Sequence, residues 1–182
     1  MNLQQALLSR RTIYRYEAKE VPQSILQLAF EAARWAPCHK HTHPWRFYEL
    51  GPQMREKLLP LTTSLAEEKA KGLSEDQRAK GVKKAIGKIR DVPVLVAVTS
   101  AKSPEDLFRE KEDYAATVCA MHNWTLSLWA QGVGAQWSTG KITSRVVRTE
   151  MVCCSPVLLI WWSRPSAPGS ASSTAVVSPT SD

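Results

Sequence analysis

The chain has no disulfide framework. Four cysteines stand among 182 residues, and two of them, Cys153 and Cys154, are adjacent. Neither the number nor the spacing suits a small domain stapled for an oxidising compartment, so reduced thiols in a cytoplasmic protein are the expectation. A membrane-length apolar run is also missing. The most apolar stretch, 114–133, carries His122, Asn123 and several hydroxyls, and reads as a buried helix with no membrane partner. Residues 1–9 have neither the basic lead nor the apolar core of a signal peptide. Between Leu50 and Phe108 there is no aromatic residue. In that span lie Lys69, Lys71, Arg78, Lys80, Lys83, Lys84, Lys88 and Arg90. Readers of single-stranded nucleic acid interleave cations with stacking rings, so the run reads as a solvated helical face and no nucleic-acid partner is expected. Glycine is sparse, eight in all, and Gly132-Val133-Gly134 follows a helix and lacks a third glycine. It is no dinucleotide fingerprint. No triad is visible either. Cys38 has His39 beside it in sequence, which does not place the ring by the sulfur.

What is present suits one soluble domain with a substantial core. Apolar residues make up 43% and charged residues 23%, ordinary values for a globular chain of this length. The net charge of +7 favours phosphate-bearing partners. Leu3, Ala6 and Leu7 pattern a short helix over 2–9. The basic extended stretch Arg10–Tyr16 follows. Arg10, Arg11, Thr12 and Arg15 offer guanidinium forks and a hydroxyl to a phosphate, or form a solvated basic turn. Pro22 opens an amphipathic helix over 22–35, with Ile25, Leu28, Ala29 and Ala32 at helical spacing. Trp45–Leu50 is a strand, and 53–90 is two helical pieces broken near Gly72. Val92–Thr99 is apolar on both faces and belongs in the middle of a covered sheet. A buried helix over 111–131 ends at Gly132 and Gly134. A polar loop, Gln136–Gly140, a short helix over 143–150 and a strand over 157–162 complete the order. From Ser166 to Asp182 the chain is Ser, Ala, Pro and Thr without aromatics or periodicity, a composition that cannot bury enough to order itself.

The densest chemistry lies between the helix that Pro37 stops and the strand that begins at Trp45. Cys38, His39, His41 and His43 share this loop. Their spacing is poor for a tetrahedral metal site, which draws ligands from two separated pairs, so no metal is expected. Two readings stand for the loop: it lines a ligand, or its imidazoles are simply solvated. Trp35, Trp45 and Trp137 flank the polar loops, where they either wall a flat aromatic ligand or serve the core, as Trp124, Trp129, Trp161 and Trp162 do.

Three blocks of this sequence, in order and at the right separations, resemble the FMN-dependent nitroreductase family, and within it the short bacterial branch of NAD(P)H nitroreductases. Arg10-Arg11-Thr12 followed by Val21-Pro22 is similar to the family's Arg-Arg-Ser opening and the Val-Pro of its next helix. Ala33 to Trp45, with Ala36-Pro37, His39-Lys40 and Pro44-Trp45, is similar to its Ala-Pro loop ending in Gln-Pro-Trp. Gln131 to Trp137 is similar to its Gly-x-Gly and Trp after the central helix. The likeness covers about residues 1–150.

The resemblance implies an α+β fold, a mixed central sheet wrapped by helices, in an intertwined homodimer with FMN at the interface. By position, Arg10, Arg11 and Thr12 would hold the phosphate and ribityl end, with Arg15 near the anionic edge of the reduced flavin. Trp35 and His39 would line the flavin from the loop, and Trp137, Ser138 and Thr139 would meet it from the other side. Ser127, Leu128, Trp129, Ala130, Gln131 and Gly132 fall where the branch takes the nicotinamide nucleotide. FMN would carry the chemistry, with no catalytic side chain: a hydride from NADH or NADPH passes through flavin to a nitroaromatic, quinone or similar flat aromatic acceptor in a ping-pong cycle. The alternatives are an oxygen-using flavin enzyme of the same fold, and a non-catalytic protein binding FMN or nucleic acid.

The chain departs from the family pattern in four places. Tyr14 stands where many members carry a basic residue, Thr42-His43 replaces the usual Gln, and Trp35 stands where the branch has arginine. After the last strand, Ser163 takes a glycine position and a low-complexity tail replaces the family's arm. The expected organisation is an FMN-binding domain over 1–165 and a tail over 166–182, with a reading-frame change near Thr149–Pro156 as its origin.

Overall fold

The fold was analysed in a computed structural model, which describes residues 1–17, 19–138 and, as backbone, the strand 154–163. The helix expected over 143–150, the tail and most of the segment suspected of a frame change lie outside the described residues.

Helix α1 (Leu3–Ser9) starts from a capping box. Gln5 N donates to Asn2 Oδ1 at 2.8 Å and Asn2 N to Gln5 Oε1 at 3.1 Å, which satisfies two of the orphan donors of the first turn. Helix α2 (Gln23–Arg34) follows Pro22, and the strand β1 (Trp45–Glu49) follows the loop. Helices α3 (Pro52–Lys69) and α4 (Glu75–Arg90) form a hairpin, turned at Gly72, whose φ of 85° suits a residue without Cβ. Ser74 and Gln77 cap α4, with Glu75 and Asp76 in its first turn and Lys88 and Arg90 in its last, all complementary to the helix dipole. Strand β2 (Leu95–Ala101), the long helix α5 (Leu107–Ala130), β3 (Gly134–Ser138) and β4 (Cys154–Ser163) complete the described chain. No helix among the described residues is long and apolar enough to cross a membrane.

The sheet order is β1-β2-β4-β3. Strand β2 is interior, as its two apolar faces require. Val96 and Val98 face α2 and α5 in one cluster, while Leu95 and Ala97 face α3 and α4 in another. The period of two thus divides one strand between two cores, and the sheet lies between two helical layers. The helical layers are those of the expected α+β fold, but the pairings differ from a mixed sheet. Every pairing among the described strands is antiparallel.

Two local expectations also need correcting. Gln136-Trp137-Ser138 is not loop; it belongs to β3, with Gln136 opposite Trp161 and Trp137 opposite Ile160 of β4. Gly134 does not end the preceding helix; it opens β3. Gly132 alone makes the turn, with φ 77°, and Val133 N returns to Leu128 O at 2.9 Å.

Candidate functional site

The first and third sequence blocks meet. The extended segment after α1 runs beside β3, and Ile13 N donates to Ala135 O at 3.2 Å. The Tyr16 hydroxyl lies 2.9 Å from both Ile13 O and Gln136 Oε1. One hydroxyl hydrogen cannot serve two acceptors. The pair is satisfied if the Gln136 amide is turned so that its NH2 donates to the Tyr16 oxygen. Burial, with Tyr14 adding to it, pushes the Tyr16 hydroxyl well above the usual range for a phenol. At the far side of this joint, Trp129 Nε1 donates to Ser9 Oγ at 2.9 Å, which pins the end of α5 to α1.

These contacts place the phosphate candidates. Arg10 is the C-cap of α1 and is half-buried, and among the described residues its guanidinium has no carboxylate partner. Arg11 Nη1 donates to the Leu8 and Arg10 carbonyls at 3.0 and 2.9 Å, so this nitrogen stiffens the turn. Thr12 is half-buried and Arg15 exposed. Trp137 is 40% exposed on β3, and Ser138 borders a cavity between α3 and α4. Thr139 lies outside the described residues.

The second block lies elsewhere. Trp35, the C-cap of α2, is 79% exposed, and its Nε1 donates to Glu31 Oε1 at 3.0 Å. The loop after it is wound tightly: Lys40, His41 and His43 all have positive φ, at 50°, 53° and 43°. Such backbone costs energy without glycine, and surrounding contacts must hold it. Thr42 Oγ1 donates to Asp113 Oδ1 at 2.7 Å. Asp113 is 2% exposed, and its other oxygen lies 3.6 Å from Arg109 Nε. His39 Nδ1 is 3.7 Å from Glu112 Oε1. Cys38 Sγ is 3.8 Å from His43 Nδ1, and the His43 ring stands edge-on to Trp45 at 5.4 Å. Among the described residues, no three His, Cys, Asp or Glu side chains gather so as to hold a metal ion.

The loop is therefore fixed to the first half of α5, and the arginine segment to its end. Glu112 and Trp129 are seventeen positions apart on one helix, about 25 Å at the α-helical rise. Within a single chain His39 therefore does not join the arginine segment, while the end of α2 that carries Trp35 lies between them, with Asn123 Nδ2 donating to Ala32 O at 3.3 Å.

The stretch expected to meet the nicotinamide nucleotide is the end of α5. Leu128 is 0% exposed and its side chain packs in the core. Ser127, Trp129, Ala130 and Gly132 are half-buried, and Gln131 is exposed. Sequence reasoning missed Asp113, the buried anchor of the loop, and Tyr16 with Gln136, the joint between two blocks. A buried acid is visible in sequence only as one more charge on a helix.

The nitroreductase family profile matches this chain over residues 7–151. "Putative NAD(P)H nitroreductase YfhC" of Bacillus subtilis is 29% identical over 140 residues, covering 77% of this chain and 70% of that protein. The fold superposes on a nitroreductase-like family protein from Bacillus cereus with a TM-score of 0.74, at 24% identity, covering 96% of this chain and 92% of that one. It superposes also on the FMN-dependent nitroreductase NfnB from Mycobacterium smegmatis, solved in complex with NADPH. There the TM-score is 0.69 and the identity 17%, over 88% of this chain and 86% of that one. With four-fifths of its length matched by one family profile, the chain belongs to the nitroreductase family.

Proposed function

We propose that this protein is an FMN-dependent oxidoreductase that takes reducing equivalents from NADH or NADPH and passes them to a nitroaromatic, quinone or similar flat acceptor in a ping-pong cycle. The observation that carries the reading is Arg10. A half-buried arginine without a carboxylate partner, two positions before a half-buried threonine, suits a phosphate monoester. FMN, when bound, supplies hydride chemistry that no side chain of this protein can supply. The chain's own residues do the rest. Arg10 and Thr12 hold the anion, Arg11 stiffens the turn, Tyr16 and Gln136 fix the segment on β3, and Trp137 offers an exposed ring beside it.

The site is completed by a second copy of the chain. His39, held at Glu112, stands about 25 Å along α5 from Trp129, which anchors the arginine segment, too far for His39 and Arg10 to line the same flavin. An intertwined homodimer would bring one copy's loop to the other's arginines. Residues 1–165 form the FMN-binding domain in this reading, and 166–182 lie outside it.

The purified protein should be yellow, and its flavin spectrum should bleach when NADH or NADPH is added without oxygen. A colourless protein that cannot be loaded with FMN refutes the reading. A yellow protein that does not bleach is a flavin binder without turnover. Arg10→Ala should weaken FMN binding by about 1.5–3 kcal/mol, the worth of a charge-assisted hydrogen bond, as read by flavin fluorescence titration. Unchanged affinity would remove Arg10 from the phosphate site.

A further inference from the structure

The α3–α4 hairpin does not close on itself. Between its helices lies a cavity of about 790 Å³, within the size range of small-molecule sites. Its walls are apolar, with Leu65, Ala66, Ala70, Leu73, Ala85 and Ile89 facing the space. Facing helices normally fill such a gap. Here it stays open, and a Cβ added at Gly81, on the cavity lining, would meet nothing within 4 Å. Gly81 is exposed, and a larger side chain there has open space to project into.

The rim is cationic. Lys69, Lys84 and Lys88 line the opening, against a single acid, Glu68. Lys84 and Lys88 are four apart on one face of α4, a spacing at which like charges repel. Burial holds the Lys88 ammonium below its usual range, and Lys84 and then Lys69 push it further down, so the three charges face one space. Lys88 and Glu68 have interactions of their own. Lys69 and Lys84 form no ion pair among the described residues. The cavity also reaches Ser138 of β3, whose side chain faces the α3–α4 layer while that of the neighbouring Trp137 faces the other side of the sheet. An apolar slot with two uncompensated cations at its mouth is complementary to an amphipathic anion.

We propose that the α3–α4 cavity selects the acceptor, and that it takes a flat aromatic carboxylate, with the ring between the helices and the anion between Lys69 and Lys84. The assignment to the acceptor rests on the redox reading above; the preference for an anion rests on the cavity alone. It adds a criterion of charge to a substrate class otherwise set by flatness. A phosphate of NAD(P)H shares the anionic chemistry, and the test separates the two sources.

The test is equilibrium binding to the full-length protein by calorimetry, with and without FMN, using 4-nitrobenzoate and its neutral counterpart 4-nitrobenzyl alcohol. The benzoate should bind about tenfold more tightly at low salt, as one charge-assisted contact gives, and the gap should narrow as salt is raised. In the double variant Lys69→Ala, Lys84→Ala the benzoate should fall to the level of the alcohol while the alcohol is unchanged. Gly81→Leu should weaken both probes by filling the slot, and circular dichroism identifies a variant that fails to fold. Equal binding of the two probes to the unaltered protein overturns the proposal, as does a preference that survives the double variant. Displacement of the benzoate by adenosine 2′,5′-bisphosphate assigns the cavity to the reductant and overturns its acceptor role. Anaerobic bleaching is a separate measurement. A protein that bleaches without discriminating the probes loses only the cavity; one that discriminates without bleaching loses only the redox reading.

Discussion

On one face of the sheet, Val94, Val96 and Val98 meet α2 and α5 in a cluster of fourteen buried residues, with Trp124, Met121 and Leu128 all at 0% exposure. On the other face, Leu95 and Ala97 meet α3 and α4 in a cluster of seven, and the rest of that layer encloses an open cavity. The same strand supplies both faces, so the difference lies in the helices. Helix α5 brings Trp124 against Phe30 and Phe47, with ring centroids 5.8 and 5.6 Å away. Where α3 and α4 border the cavity, Ala66, Ala70, Gly81 and Ala85 stand among Leu65, Leu73 and Ile89, and together they leave it open. One layer carries the stability of the domain. The other packs a smaller cluster beside an open cavity.

Two truncations separate the layers. Trp124→Ala should be the most damaging single change in the described chain, about 3–5 kcal/mol, because the aromatic cluster around it has no slack into which to relax. Ile89→Ala removes a side chain that is almost as buried, 1% exposed, but beside the cavity, where neighbours can move. It should fall near the low end of its class, about 2 kcal/mol. Urea denaturation measures both. If Ile89→Ala costs as much as Trp124→Ala, the second layer is as tightly packed as the first and the comparison fails.

An effect of similar size asks what fixes the looser layer to the sheet. Arg55, in the first turns of α3, donates from Nε to Leu50 O at 2.7 Å, from Nη1 to Val92 O at 2.5 Å and from Nη2 to Pro93 O at 3.3 Å. One planar guanidinium therefore ties α3 to both the end of β1 and the approach to β2. Arg55→Ala strands those carbonyls and should cost about 1.5–3 kcal/mol in the same urea experiment. Arg55→Lys should recover little of it, since an ammonium has no fork to match spread acceptors. Full recovery with lysine would mean that charge alone holds the hairpin.

Much of this architecture was legible in the residues. The two-sided apolar run of β2, the break at Gly72 and the stop at Pro37 are local signals, and each marks a real boundary or position. What escaped the sequence depends on partners far along the chain. Gln136-Trp137-Ser138 is too short and polar to announce a strand; pairing with β4, more than twenty residues on, makes it one. The lysines of α3 and α4 read as a solvated face, and Lys69, Lys80, Lys83 and Lys84 are exposed; that the two helices also border a space is not a local signal. The candidate site divides in the same way. Its residue types were visible in the three blocks, but not that Asp113 and Glu112 hold one block at the start of α5 while Trp129 anchors another at its end. Helix length sets that separation, and no motif encodes it.

The smallest effect tests the joint between the looser layer and the arginine segment. Tyr16 packs against the α3–α4 cluster and bonds back to Ile13 and across to Gln136. Near neutral pH, Tyr16→Phe should cost only about 0.5–1.5 kcal/mol, one hydrogen bond. Its signature is in alkali. The phenol ionises near 10 in the unfolded chain, while burial keeps it protonated to higher pH in the fold. The raised value favours the neutral form of the folded state. Its contribution is therefore complete below pH 10 and is lost progressively as the pH rises above that point, where the unfolded chain releases the proton and the folded chain retains it. Other tyrosines and lysines titrate in the same range, so the useful quantity is the difference between the two proteins. The urea midpoint of the unaltered chain should fall more steeply above pH 10 than that of Tyr16→Phe. Parallel curves would show that water reaches Tyr16, and that the arginine segment is not sealed against β3 and the second layer as its hydrogen bonds require.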